Sequence, residues 1–389
     1  MNNIFSQVKS EKAYITELRR HFHTYPELGM AEFKTAEKIE EELSALGIPH
    51  KRIGGTGVLG TIKGGAAGGG KIIALRADTD ALPIQEENDV PYRSQNPGIM
   101  HACGHDGHTA SLLGAAKVLA ANKNTFPGEI RLVFQQAEET DGGAKYFIEE
   151  GVHEGVSRVF GLHMAPDMET GKISLVPGPI NASVNSFRIT LKGKSAHVST
   201  PHKGADSLYS ACQIVSALQG IITRNVSPLE TVIIGVGMLH SGTANNIIAE
   251  EAVLEGTLRT YTAKLRDELK TRIDELSGHI AAISGVQRII DWHDYAPVLV
   301  NDAEVCKEAS KIAVAIAGGV LNEGPRSLGG DDFAEFLLKI PGVYANIGCG
   351  FSGKPRIPLH NCRFDMDEEA LIYAAGMYAC YAAWYLNQA

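Results

Sequence analysis

Four short segments gather the side chains able to do acid–base or metal chemistry. They are Arg76-Ala77-Asp78-Thr79-Asp80, His101-Ala102-Cys103-Gly104-His105-Asp106-Gly107-His108, the pair Glu138-Glu139, and His163. A thiolate, imidazoles and carboxylates together form the ligand set of zinc and its first-row neighbours. Cys103 and His105 stand two apart, and Gly104 between them permits a bend that lets both face one ion. Glu138 and Glu139 are adjacent like charges; in a partly buried site with no cation, one of them would hold a proton. In a dinuclear centre one carboxylate can ligate while its neighbour stays free as a base toward an acidified water. That is a hydrolytic design. A closed structural zinc needs neither a spare base nor ligands so spread along the chain.

The elements around these segments predict that they meet. Residues 71–77, 129–135 and 157–162 read as apolar strands, and the clusters at 76–80, 138–139 and 163 follow them directly. A helix is expected over 109–121 and another near 144–150. Alternating strand and helix implies a mainly parallel α/β sheet, whose strand C-termini share one ligand-binding edge. Ahead of this lie two helices, one with Ile15, Leu18 and Phe22 on a face, the other with Phe33, Ala36, Ile39, Leu43 and Leu46. Residues 57–62 and 71–77 read as neighbouring strands joined by the glycine-rich loop 64–70. Gly55-Thr56-Gly57-Val58-Leu59-Gly60 fits a dinucleotide fingerprint on paper, but it leads into a strand and a loop rather than a helix, so it is read as turn glycines.

From Ser183 the texture changes to strand 187–191, helix 206–224, strands 231–238 and 251–260, helix 265–284 and strand 286–292. This β-α-β-β-α-β order is the split pattern of a ferredoxin-like domain. The expected fold is thus α/β: a larger discontinuous domain, 1–182 and 297–389, interrupted by a smaller inserted α+β domain, 183–296.

Composition narrows the classes further. The 389 residues carry 36 Lys and Arg against 45 Asp and Glu, a net charge of −9. That argues against a nucleic-acid or anionic-membrane binder, which needs basic excess. No apolar run approaches the ~18 residues of a membrane span. Six scattered cysteines without a C-x-x-C pair read as reduced thiols of a cytoplasmic protein.

The sequence resembles the aminoacylase/carboxypeptidase family of dinuclear metal amidohydrolases. It is most similar to the branch of hippurate hydrolases, N-acetyl-diaminopimelate deacetylases and auxin-conjugate hydrolases. The motifs, in the family's order, begin with Arg20-His21-Phe22-His23-Thr24-Tyr25-Pro26-Glu27-Leu28 and Arg76-Ala77-Asp78-Thr79-Asp80-Ala81-Leu82-Pro83. Met100-His101-Ala102-Cys103-Gly104-His105-Asp106-Gly107-His108-Thr109 and Gln135-Gln136-Ala137-Glu138-Glu139 follow. Gly330-Asp331-Asp332-Phe333 and Pro358-Leu359-His360-Asn361 complete the set. The branch often has Pro-Ala-Glu-Glu where this chain has Gln136-Ala137-Glu138-Glu139, and a Gly-Gly-His-Ala type of stretch where it has Lys194-Ser195-Ala196-His197.

The resemblance implies a role for each matching residue. Cys103 would bridge two divalent ions (zinc, manganese, nickel or cobalt), with His105, Glu139, His163 and His360 as terminal ligands. Glu138 would be the general base and Asp80 a carboxylate holding a ligand in place. His197 and Asn245 of the inserted domain would polarise the scissile carbonyl, often from a partner subunit of a homodimer. Arg259 is either a bidentate grip for a substrate carboxylate or an ordinary strand residue. His23, His101 and His108 are read as structural. The implied reaction is hydrolysis of a small N-acyl amino acid, N-acetyl or N-benzoyl, to a carboxylate and a free amino acid. A dipeptidase or carboxypeptidase on the same metals is the alternative.

Overall fold

The computed structural model describes residues 2–140, 142–321, 324 and 326–388. The chain divides into two compact units. The first comprises Met1–Gly178, Val300–Arg326 and Asp332–Ala389; the second, Pro179–Leu299 with the short return Ser327–Asp331.

The first unit is built on a seven-stranded sheet. Its order is His50–Ile53, Gly57–Lys63, Glu129–Gln135, Ile72–Asp78, Arg158–Glu169, Gly342–Gly350 and Ile173–Ser174. The four strands from Glu129–Gln135 to Gly342–Gly350 run parallel, and the pairs outside them are antiparallel. The parallel centre is apolar and buried, as sheets covered on both faces must be.

Two sequence expectations are corrected here. Gly57–Lys63 and Ile72–Asp78 are not neighbours, because Glu129–Gln135 lies between them. The helix His105–Ala121 carries the chain back so that Glu129–Gln135 enters parallel to Ile72–Asp78. A parallel pair requires a crossover of that kind, and residues 73–78 are all buried, so their strand takes an interior place. His163 lies within a strand rather than just past one. Arg158–Glu169 runs on because Met164 and Ala165 are buried and keep pairing, opposite Ile347 and Gly348.

Helices pack around this sheet. Lys12–Thr24 buries Ile15, Leu18, Arg19, Phe22 and His23, a three-and-four spacing that mixes apolar with charged side chains on its inner face. Ala370–Leu386 is buried almost all round. His105–Ala121 begins four residues earlier than its apolar pattern suggests. Gly104 adopts φ +92°, a left-handed step, and a Cβ there would stand 3.2 Å from that of Met164.

The second unit has the ferredoxin-like order. Strands Ser183–Lys192, Val232–Ser241, Glu251–Thr260 and Gln287–Ala296 form one antiparallel sheet, in spatial order fourth, first, third, second. Helices Ser207–Asn225 and Ala263–Ile283 cover it. Phe187, Ile189 and Leu191 alternate inward to meet Ala211, Ile214, Leu218, Leu269 and Ile273. Asp206 and Thr262 cap the two helices, accepting the N–H groups of Tyr209 and Leu265. No helix among the described residues is long and apolar enough to cross a membrane.

Candidate metal centre

The strand order of the first unit brings its polar clusters to one edge. Asp78 stands opposite Gln135, Arg76 opposite Gly161, and His163 opposite Asn346. Cys103, His105 and His163 offer donor atoms all within 4.8 Å of one another. So do Cys103, Glu139 and His360, and so do His105, Glu138 and Glu139. Cys103 therefore belongs to two overlapping triplets, and all five ligands expected from the resemblance lie in one contiguous group. The Cys103 Sγ is 3.4 Å from His163 Nε2, and Glu139 Oε1 is 3.1 Å from His360 Nε2.

Hydrogen bonds decide which imidazoles have a lone pair to give. A ring nitrogen facing a carbonyl must carry the proton, which leaves the other nitrogen basic. His105 Nδ1 donates to the Asp80 carbonyl at 2.9 Å, and its Nε2 is buried with no hydrogen bond. His163 Nδ1 donates to the Met164 carbonyl at 2.8 Å, leaving Nε2 toward Cys103. His108 is the reverse case. Its Nε2 accepts the Met164 N–H at 2.9 Å, so its proton sits on Nδ1 and goes to Asp78. Asp78, His105 and His108 also form a compact triplet, but His108 has no lone pair left for an ion.

Asp80 ties two of the expected ligands together. Its Oδ2 accepts the Glu139 N–H at 2.9 Å, its Oδ1 is 3.3 Å from His105 Nδ1, and its carbonyl takes the His105 proton. Orienting partners of this kind behind metal-binding histidines fix ring tautomer and direction. His360 is held differently. Its backbone has φ +61°, and its N–H donates to the Ala102 carbonyl at 2.8 Å. The ring is half exposed at the rim, so chain flexibility is removed at the backbone instead.

The charges at this cluster are far from their ordinary values. Burial, with Glu139 beside it, pushes the Cys103 thiol well up. Burial opposes charge on Glu139, but His360 and His105 outweigh it and hold the carboxyl below the usual range. Burial pushes His163 down to about 3, so this ring is neutral at physiological pH. Burial opposes charge on His105, but Asp78, Cys103 and Asp80 outweigh it and hold that ring well above its ordinary value. A buried thiol, a nearly buried acid and imidazoles with one nitrogen turned toward the cluster fit divalent cations, which would displace the protons held on the thiol and on His105. The donors are mixed N, O and S, as zinc and its neighbours prefer.

The remaining expected residues lie in the second unit. His197 Nδ1 accepts from the Ser199 N–H at 3.1 Å, so its proton is on Nε2, on an exposed ring with that donor free to use. The strand-like bridge of His197 to Ile247, with Val198 N–H bonded to the Asn246 carbonyl, sets Asn245 close in the same loop cluster. Arg259 is half-buried, and its Nη1 donates to the Leu328 carbonyl at 2.7 Å, so one arm of its fork is already taken.

Sequence reasoning missed one set of residues. Arg76, Gln135 and Asp332 form a buried network behind the site. Arg76 donates to Asp78 at 2.5 Å and to Asp332 at 2.9 Å, and Gln135 Nε2 donates to Asp332 at 2.7 Å. The Arg76 and Asp332 motifs were visible, but nothing in their spacing joins residues 256 positions apart.

Comparison with known proteins shows the family. The model of Peptidase family M20/M25/M40 matches residues 74–383. An N-acetyl-L-cysteine deacetylase of Bacillus subtilis is 41% identical over 359 residues, covering 92% of this chain and 85% of the relative. Thermostable carboxypeptidase 2 of Saccharolobus solfataricus is 39% identical, covering 98% of each. The crystal structure of the Bacillus subtilis YXEP protein, a dinuclear metal binding peptidase, superposes with a TM-score of 0.85 at 35% identity, over 98% of this chain and 100% of that one.

Proposed function

The chain belongs to peptidase family M20/M25/M40, and from that membership we propose a reading of its site as a dinuclear amidohydrolase centre. The protein is a metal-dependent hydrolase of linear amide bonds, acting on N-acyl amino acids. Cys103, His105, Glu139, His163 and His360 would hold two divalent cations. When bound, the cations supply Lewis acidity toward the acyl carbonyl and acidify water.

The chain's own residues supply the rest. Glu138, beside Glu139 and nearly buried, takes a proton from the attacking water. The water oxygen bonds to the acyl carbon, the C–N bond breaks, and Glu138 returns its proton to the leaving nitrogen. Asp80 holds His105 and Glu139 in place. His197 and Asn245 are donors for the developing oxyanion; a donor so aimed contributes about 3–4 kcal/mol. The free arm of Arg259 pairs with the substrate carboxylate. The inserted domain serves as lid and dimer contact. Val232–Ser241 is an outer strand of its sheet and exposes Ile233, Met238 and Leu239, which suits edge-to-edge pairing of two copies. Six free cysteines support a reducing, cytoplasmic setting.

The observation that carries this reading is the pair of buried or half-buried histidines whose protonated nitrogens face carbonyls, leaving both free nitrogens beside one thiol. The test is Glu138→Ala. Turnover of N-acetyl and N-benzoyl amino acids is expected to vanish while metal content stays near wild type. Retained turnover contradicts the assignment of Glu138. The 39% identity to a carboxypeptidase favours a second reading, a peptidase on the same site. A panel pairing each N-acyl amino acid with a dipeptide of the same C-terminal residue separates the two by kcat/KM.

A further inference from the structure

We propose that Glu32 is a positioning residue for the reaction, clamping Ala137 in a left-handed conformation and so aiming Glu138 and Glu139. The proposal rests on the reading of Glu138 as the base. Ala137 immediately precedes that base and has φ +51°. A side chain strains this conformation, so it persists only where neighbours enforce it. Among the described residues, three non-glycine residues have positive φ: Met30, Ala137 and His360. His360 is in the metal cluster, and Met30 belongs to the segment that meets Ala137.

The contact is specific. Glu32 is fully buried, and its Oε1 accepts the Ala137 N–H at 2.8 Å. Its Oε2 accepts from the Thr56 hydroxyl at 2.7 Å. Glu32 precedes the helix Phe33–Ala45 but makes no side-chain cap there, so its carboxylate serves the turn instead. Gly29 closes on the same turn: a Cβ at Gly29 would lie 3.2 Å from the Ala137 Cα and 2.5 Å from Thr140 Oγ1. The Ala137 carbonyl is also engaged, accepting the Gly143 N–H at 3.2 Å. Burial costs the carboxyl heavily and pushes its pKa up to about 7. Besides its own backbone N–H, this costly buried carboxylate serves the Ala137 N–H and the Thr56 hydroxyl, and its clearest use is in setting the Ala137 backbone. Glu32 lies outside residues 74–383, and its sequence context reads only as an acid at a helix start.

The test combines hydrogen–deuterium exchange with a rescue. In Glu32→Ala, exchange in the peptide covering residues 136–140 is expected to rise and kcat to fall about a hundredfold, with KM little changed. Ala137→Gly in that background removes the steric objection to positive φ and is expected to recover about tenfold in kcat. Should Glu32→Ala fail to fold, Thr56→Val removes the hydroxyl that holds the other carboxylate oxygen and is expected to raise exchange and lower kcat together. Unchanged exchange overturns the clamp. Raised exchange with unchanged kcat, or a kcat loss that Ala137→Gly does not touch, overturns the positioning role. A wild-type chain that cleaves no N-acyl amino acid would strike the proposed function alone, leaving the exchange result to decide the clamp.

Discussion

The segment from His101 to His108 serves two buried polar clusters that look alike in composition and differ in what they leave unspent. In one, Cys103 and His105 join Glu139, His163 and His360, and the His105 Nε2 has no hydrogen bond. In the other, Asp106 meets Arg19 at 2.8 Å and His23 at 2.7 Å, while His23 Nε2 is 3.2 Å from Glu86. Arg19 extends that second cluster to Asp365 at 2.9 Å and Glu368 at 3.4 Å. Both contain buried imidazoles and carboxylates. The first has lone pairs and acids in excess of its protons; in the second, Arg19, His23, Asp106 and Glu86 pair their charges with one another, and the unbonded His101 ring beside them has no thiol or acid turned to share an ion with it among the described candidate groups. Buried histidine and acid together therefore do not identify a metal site. The direction of each lone pair does, and His108, spent on the Met164 N–H, makes the same point within a few ångströms of the ligands.

The contrast breaks most sharply at Cys103. Cys103→Ala is expected to lower kcat/KM about a thousandfold or more in a deacylation assay, because it removes the donor common to two ligand triplets. Asp80→Ala acts one step back. It removes the carboxylate that accepts the Glu139 N–H and stands 3.3 Å from His105 Nδ1, while the backbone carbonyl that sets the His105 tautomer stays, and it is expected to weaken metal affinity about 10–100-fold, read by competition with a chelating dye.

Arg19→Met probes the other cluster. It leaves Asp106 buried beside His23 without its guanidinium and is expected to cost about 3–5 kcal/mol of unfolding free energy in urea. Its folded fraction should keep the metal content of wild type. Equal loss of metal in Arg19→Met and Cys103→Ala would erase the distinction between the clusters.

The smallest effect is a pH dependence. Burial and Arg19 oppose charge on His23, but the hydrogen bonds to Asp106 and Glu86 outweigh them and raise its pKa. A raised folded-state pKa stabilises fully below the unfolded value near 6.5 and fades as pH rises through the folded value. The stability difference between wild type and His23→Gln, from urea midpoints, is therefore expected to be largest below about pH 6.5 and to shrink above the folded pKa. A difference that grows with pH contradicts a charged His23.

Much of this was legible in the residues. The clusters following apolar strands predicted convergence at one sheet edge, and the period change after Ser183 predicted a second fold. What failed did so for physical reasons. Strand adjacency was misread because a short loop between 57–63 and 72–78 suggested pairing, whereas burial on both faces and a helical crossover placed another strand between them. His163 was taken to end a strand because polarity looks like a boundary, yet backbone pairing continues through a side chain that faces a site. His360 had no local signal at all, since its placement comes from a left-handed backbone and the Ala102 carbonyl. Glu32 was invisible because its partner is a backbone N–H more than a hundred residues away.

The central claim is that the five residues around Cys103 form a metal-binding cluster and the charges around Arg19 do not. Elemental analysis after saturation with manganese or zinc and gel filtration measures this directly on wild type, Cys103→Ala and Arg19→Met. The expected result is about two equivalents per chain in wild type and in folded Arg19→Met, and a clear loss in Cys103→Ala. Wild-type protein that retains no metal, or Cys103→Ala that retains all of it, would contradict the claim.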